Sequence, residues 1–461
     1  MSKINGNYSA FLAKKKVADI ATGFEPGSLP PSMFDFQADV TRWTCRRGRS
    51  ALFEDCGLGK TVQQLAWADQ VAAHTRTGKV LILAPLGVTH QTVREGDKFG
   101  IKVKFVTCQA ECDGPGIFIT NYEKLHRFDA SQFAALVLDE SGILKSFAGA
   151  TRNAIIEAAA GLPYKLACTA TPAPNDYVEL GNHAEFLGVM SRVEMLATFF
   201  VHDGGDTAKW RLKGHAEEEF WRWLCSWSVN IRKPSDLGYE DGKFCLPELR
   251  MREHIVRSSQ KMDGYLFALP ASSLAERRDA RRASLGERVE MAADLADGEQ
   301  WVFWCNLNAE SDARAKTLGA KEIRGDTSEE DRERTLLGFL DGTVRRVVTK
   351  PSLWGFGMNL QCCWNTAMVG LSDSYEEFYQ TVRRFWRFGQ QNPVNAHIII
   401  SDLEGAVLAN IKRKEADAKR MAEEMVRHMA DISSKEVRGS VRETIKYKPS
   451  VKIKLPQWLQ P

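Results

Sequence analysis

From Leu52 to Thr61 the chain reads Leu-Phe-Glu-Asp-Cys-Gly-Leu-Gly-Lys-Thr, an apolar strand that runs into a glycine turn and ends in Lys-Thr at the mouth of a helix. This junction fixes a strand, a turn and a helix in that order, and it is also a phosphate cradle. Glycines let successive backbone N–H groups turn toward a triphosphate, and the helix N-terminus adds a positive dipole. Lys60 is expected to reach the outer phosphates and the Thr61 hydroxyl to hold Mg²⁺. Asp55, Cys56, Gly57, Leu58 and Gly59 complete the expected nucleotide contacts, and ATP with Mg²⁺ is the expected pairing. Glu54 stands where the usual pattern has its first glycine.

The surroundings predict a sheet to carry that loop. From Ala51 to Thr171 short apolar runs alternate with helical stretches: Ala51–Phe53, Val80–Ala84, Val103–Thr107, Ile117–Thr120, Leu136–Leu138 and Lys165–Cys168. Runs this short and continuous suit strands buried on both faces, hence a parallel sheet with helical crossovers. A second alternation begins near Trp301 and continues through Glu322-Ile323, Arg345–Thr349, Thr366–Gly370 and Ala396–Ile400. The 461 residues exceed what one core usually organises, so two lobes are expected. Between them Phe220, Trp221, Trp223, Leu224 and Trp227 fall at helical spacing and are read as core. The predicted organisation is an N-terminal arm (1–30), lobe one (31–187), a helical insertion packed on it (188–250), lobe two (251–402), and a C-terminal helix to about Ala430 with a basic tail (403–461).

Bulk properties exclude some classes. The N-terminal stretch from Met1 to Gly23 has no long apolar core behind its lysines, and nothing else approaches a membrane span, so a cytoplasmic chain with no membrane partner is expected. The ten cysteines are scattered, and Cys108 with Cys112 has no second pair to complete a tetrahedral site. Cys56 is either a favoured thiolate in the phosphate turn or a small filler residue. A net charge of +3 does not announce a polyanion binder. Local patches are the candidates: Lys14–Lys16, Arg42 with Arg46, Arg47 and Arg49, the arginines 277, 278, 281 and 282, and the tail lysines 446, 448, 452 and 454.

Leu136-Val137-Leu138-Asp139-Glu140 places two carboxylates at the carboxyl end of a strand, where parallel sheets put their ligands. Asp139 is expected to bind Mg²⁺ and Glu140 to orient the attacking water. Near the end of lobe two, Arg384 and Arg387 are three residues apart and share a helix face, and such guanidinium forks suit phosphate oxygens. Arg383 is open between a third contact and a solvated side chain.

Taken together, these motifs resemble superfamily-two helicases, in particular the Swi/Snf branch of chromatin-remodeller-like translocases in the compact form carried by phages and prophages. Phe36-Gln37 resembles the adenine-reading glutamine motif. Asp55 to Thr61 resembles motif I, whose Swi/Snf version also lacks the first glycine. Pro85-Leu86 resembles motif Ia, Thr120-Asn121-Tyr122 motif Ib, Asp139-Glu140 motif II, and Thr169-Ala170-Thr171 with Asn175 motif III. In the second half Val302-Phe303 resembles motif IV, Gly355-Phe356-Gly357 motif V, and Gln380 to Gln390 motif VI. Motif II departs from most relatives, having Ser141-Gly142 where they carry a histidine. Pro174-Asn175-Asp176-Tyr177 faintly resembles an amino-methyltransferase turn and is assigned to the loop after motif III.

The resemblance implies two RecA-like parallel-sheet lobes of the P-loop NTPase kind, and an ATP-dependent helicase or translocase on DNA, mainly duplex and independent of sequence. It implies nucleotide contacts from Gln37, Gly355, Gly357 and Gln380, and coupling by Thr169, Ala170 and Thr171. Nucleic-acid contacts are implied for Pro85, Leu86, Thr120, Asn121, Tyr122, Asn306, Lys350 and Trp354. The setting would be phage or prophage DNA metabolism in a bacterial host cytoplasm, with phage or host DNA-processing partners. Two alternatives are an RNA-dependent ATPase and a non-translocating ATP-gated DNA clamp.

Overall fold

The computed structural model describes residues 21–145, 149–173, 176–203, 206–257, 282–296, 298–305, 317–354, 358–372 and 374–437. Asn175, Asn306, Gly355, Gly357, the cluster Lys14–Lys16, Arg277, Arg278, Arg281 and the tail lysines lie outside the described residues, as does the arm up to residue 20.

Lobe one is built on a seven-stranded, wholly parallel sheet. Its strands are β1 (Arg49–Glu54), β2 (Lys79–Ala84), β3 (Val103–Phe105), β4 (Gly116–Asn121), β5 (Ala135–Asp139), β6 (Tyr164–Thr169) and β9 (Ser228–Ile231), in the order β3-β4-β2-β5-β6-β1-β9. Alternate strand residues feed two cores. Leu52, Val80, Ile82 and Val137 meet Phe36, Val40, Leu65 and Trp67 on one face. Phe53, Leu81, Leu136 and Leu138 meet Phe186, Trp223 and Trp227 on the other. Each of these large apolar side chains contributes about 1.5–3 kcal/mol by leaving water. The aromatic residues Phe220, Trp221, Trp223 and Trp227 are all buried in that second core.

Two elements differ from expectation. The stretch 188–250 is not simply helical: β7 (Phe200–Asp203) and β8 (Asp206–Leu212) form an antiparallel hairpin, and β9 adds an edge to the sheet beside β1. Ser-Val-Asn-Ile is too short to show a period, and only its pairing with Ala51–Glu54 defines it as a strand. The C-terminal helix, Gly405–Val437, runs beyond Ala430. At 33 residues it is about 50 Å long. Val407, Leu408 and Ile411 pack in lobe two, whereas Met425 and Met429 pack in the core of lobe one, so the helix bridges both lobes.

Lobe two carries a six-stranded parallel sheet of β10 (Leu249–Val256), β11 (Trp301–Trp304), β12 (Lys321–Glu322), β13 (Arg346–Thr349), β14 (Asn365–Val369) and β15 (Val394–Ser401). The order is β10-β15-β14-β11-β13-β12. The fold class is therefore the expected one, two parallel α/β lobes. Among the described residues no helix is long and apolar enough to cross a membrane.

Candidate active site between the lobes

The phosphate loop follows β1 and ends at Gly59, in left-handed backbone at the N-cap of the helix Lys60–His74. Gly57 and Gly59 have φ of 92° and 90°. Neither tolerates a side chain: a Cβ on Gly59 would lie 2.2 Å from Gln37 Nε2, and one on Gly57 2.8 Å from the Phe388 nitrogen. Gln37 is buried; its Nε2 donates to the Leu58 carbonyl at 2.8 Å and its Oε1 accepts from the Phe34 N–H at 3.1 Å. Gln37 thus braces the loop at Leu58 while also bordering the cleft. Lys60 Nζ donates to the Glu54 and Asp55 carbonyls at 2.7 and 3.2 Å. Glu54 is wholly buried beneath the loop and accepts from Gln63 Nε2 at 2.8 Å; burial raises its carboxyl to about 7 against the pull of Lys60.

β5 delivers Asp139 to the same end of the sheet. Burial first, and the adjacent Glu140 second, raise its carboxyl to about 6, while Gln64 and Lys60 oppose the rise. Glu140 follows with φ of +54°, and it has the one positive φ outside glycine among the described residues. Such a conformation costs a non-glycine residue on the order of 1–3 kcal/mol and persists only where the surroundings enforce it.

Both raised carboxyls have one consequence for stability. A carboxyl bound more tightly to its proton when folded stabilises the fold fully below its unfolded pKa, and that contribution is lost as pH rises through the folded value. Protein without nucleotide is therefore expected to lose thermal stability between about pH 4 and pH 7, through Asp139 and Glu54. A melting-temperature series across that range checks this; Asp139→Asn and Glu54→Gln should each flatten it.

Lobe two closes over this surface. Lys60, Thr61, Asp139 and Glu140 share one cleft of 340 Å³ with Arg384 and Arg387. Arg384 is buried and aimed by Gln380, whose carbonyl accepts from Nε at 2.9 Å and whose Oε1 accepts from Nη2 at 2.7 Å. Gln380, expected as a nucleotide contact, is 1% exposed and spends its amide on Arg384 instead. Burial and the neighbouring Arg384 lower the Arg387 guanidinium to about 10. Among the described residues Arg387 makes no side-chain hydrogen bond or ion pair.

The expectations for Asp55 and Arg383 need correction. Asp55 Oδ2 accepts from Arg383 Nη2 at 2.6 Å, and Oδ1 accepts from the Tyr379 hydroxyl at 2.6 Å and from the Cys56 N–H at 2.7 Å. Burial pushes the Asp55 carboxyl up, but Arg383, Tyr379, Arg232 and Cys56 outweigh it and hold the group below its ordinary value. Arg383 is 4% exposed in this pair and lies over Trp386, its Cζ 4.4 Å from the ring centroid. It is not a solvated side chain: it ties lobe two to lobe one and also borders the cleft that Lys60 lines. Asp55→Asn should leave Arg383 buried without its counter-charge, a loss of about 3–5 kcal/mol that separating the lobes would relieve. Small-angle scattering should then show a larger radius of gyration than the parent chain.

Thr169 ends β6, its Oγ1 accepting from the Thr171 N–H at 3.2 Å. Ala170 and Thr171 border a second interlobe cavity of 260 Å³, with Phe53 and Trp386 on its walls. The nucleic-acid candidates divide. Leu86 is 56% exposed and Pro85 and Lys350 are half-buried. Thr120, Asn121, Tyr122 and Trp354 are buried, so they present no surface to a polyanion. Tyr122 turns inward and donates to the Asp139 carbonyl at 2.6 Å, and Trp354 packs on Phe339. An aromatic residue at a strand or helix end carries no sequence mark of whether it faces the core or solvent.

Sequence reasoning also missed His183, whose Nε2 lies 3.1 Å from Ser141 Oγ. The only signal was the departure at Ser141 itself. Among the described residues no group of three or more His, Cys, Asp or Glu side chains could hold a metal, so Mg²⁺ would depend on Asp139, Thr61 and oxygens of the substrate.

Residues 287–389 match the family model for the helicase conserved C-terminal domain. No curated protein matches the chain. Among solved structures, the Sulfolobus solfataricus SWI2/SNF2 ATPase core in complex with dsDNA is similar at 17% identity and a TM-score of 0.42, over 90% of this chain and 98% of that one. The segment that supplies Arg383, Arg384 and Arg387 is thus the part of the chain similar to the helicase conserved C-terminal domain.

Proposed function

We propose that this chain is a nucleic-acid-stimulated ATPase of the superfamily-two helicase type, Swi/Snf-like, that uses ATP to move along duplex DNA. One observation carries the reading: a lysine, a threonine and two carboxylates from one lobe share a cleft with three arginines from the other, Arg383, Arg384 and Arg387. ATP fits the loop because Gly57 and Gly59 take the left-handed turns that a phosphate cradle needs, and the loop opens on the cleft beside Lys60 and Thr61. Mg²⁺ fits the oxygens of Asp139 and Thr61, and when bound it would neutralise phosphate charge.

Lys60 exchanges the Glu54 and Asp55 carbonyls for phosphate oxygens, so its charge is held in place before substrate arrives. Glu140 orients water for in-line attack, and Arg384 and Arg387 neutralise charge that develops on the transferred group. Closure then depends on nucleotide, and two closure states with different grip on a phosphate backbone give stepping. Pro85, Leu86 and Lys350 are the surface positions proposed to meet DNA, together with Asn306. The coupling residues proposed are Thr169, Ala170 and Thr171, of which Ala170 and Thr171 border the second interlobe cavity.

ATP turnover measured with duplex DNA, single strands and RNA, alongside triplex displacement, tests the proposal. Duplex-stimulated turnover with displacement is expected, and both should fall steeply as salt rises. Stimulation by RNA alone would replace the DNA reading. ATP-dependent DNA affinity without stimulated turnover would replace the motor with a clamp.

A further inference from the structure

Glu140 stands in left-handed backbone, so neighbouring structure must hold it there. Two buried hydrogen bonds flank it. On one side the Tyr122 hydroxyl donates to the Asp139 carbonyl at 2.6 Å. On the other, Ser141 Oγ and His183 Nε2 are 3.1 Å apart, with Ser141 0% and His183 1% exposed. The helix that carries His183, Leu180–Leu187, also grips the next turn, because Asn182 Nδ2 donates to the Leu144 carbonyl at 2.8 Å. The histidine ring stands edge-on to Phe53, at 5.2 Å between centroids, and Phe53 precedes the phosphate loop on β1.

We propose that His183, acting through Ser141, is a positioning residue that holds the Glu140 carboxylate in register with the water it orients. The inference rests on the ATPase reading above. Burial lowers the His183 imidazole to about 4, so the ring is neutral at physiological pH and the contact is an uncharged hydrogen bond. A neutral ring has one N–H and one lone pair, so it can hold Ser141 in a single orientation without bringing a charge beside Glu140. Tyr122 fixes the preceding peptide in the same way. The strained residue is therefore clamped on both sides by groups that do not line the cleft.

Kinetics of variants read this directly. His183→Phe keeps an aromatic ring against Phe53 and deletes the hydrogen bond; Ser141→Ala deletes it from the other side with little change in volume. Each is expected to lower kcat for ATP about tenfold, with KM for ATP within about twofold, because an interaction that sets only the reacting geometry leaves ground-state binding alone. The double variant should be no worse than either single one, since both remove the same contact. His183→Gln, which offers an amide toward Ser141, should recover most of the rate. Melting temperatures of the variants identify any that are merely misfolded, and Ser141→Ala, the smallest change, then decides. The inference is overturned if folded Ser141→Ala keeps the parental kcat, or if KM rises while kcat holds. Absence of ATP turnover in the parent chain would instead overturn the ATPase reading, so the two failures are distinguishable.

Discussion

Arg387→Ala is expected to lower kcat by roughly 10³ to 10⁵ and to leave nucleotide affinity nearly unchanged. The magnitude follows from where the guanidinium sits. Arg387 borders the cleft that holds Lys60 and Glu140, and among the described residues nothing else claims it. Burial and Arg384 lower it only to about 10, so it stays charged at neutral pH in a half-buried position on the cleft wall. A charge in such surroundings stabilises a developing phosphate charge far more than the same charge in water. Arg384 alone does not replace it, because two of its guanidinium donors are committed to Gln380. Single-turnover rates with a fluorescent-nucleotide titration separate the two effects. Arg387→Lys should recover only part of the rate, since a point charge lacks the planar fork. Full stimulated turnover in Arg387→Ala would remove this arginine from the reaction.

Glu140→Gln should bind nucleotide normally and turn it over about 10² to 10⁴ times more slowly. The amide matches the carboxylate in shape, so the left-handed backbone and the Ser141–His183 contact survive, and the lost property is the negative charge proposed to orient water. Lys60→Ala should behave differently and weaken binding itself, because in the proposed reading the lysine meets phosphate in the ground state. Parallel binding and turnover measurements distinguish the two, and a Glu140→Gln variant with parental kcat would assign the water to another residue.

The parts of this site that were legible in the sequence are those made within one short segment. The phosphate loop needs two glycines with positive φ, and Gly57 and Gly59 supply them ahead of Lys60 and Thr61. Asp139 and Glu140 follow a short unbroken apolar run of the kind that suits an interior strand, and it is one. Arg384 and Arg387 both border the cleft as expected, but the helix Tyr375–Val382 ends before them, so turns and not a shared helix face bring them there. The readings that failed concern orientation and partners. Tyr122 lies at a strand end but faces inward, Gln380 serves an arginine, and β9 exists because β1 offers it an edge.

By itself the sequence determined the two parallel sheets and the identity of the groups at their carboxyl ends, because strand burial and turn geometry are properties of a few consecutive residues. Tertiary structure alone decided which buried polar groups pair. Asp55 meets Arg383 across 328 positions, and Ser141 meets His183 across 42. A buried charge or hydroxyl must find a partner, but nothing in its local sequence names one, since the choice is made only when lobes and helices close and exclude water.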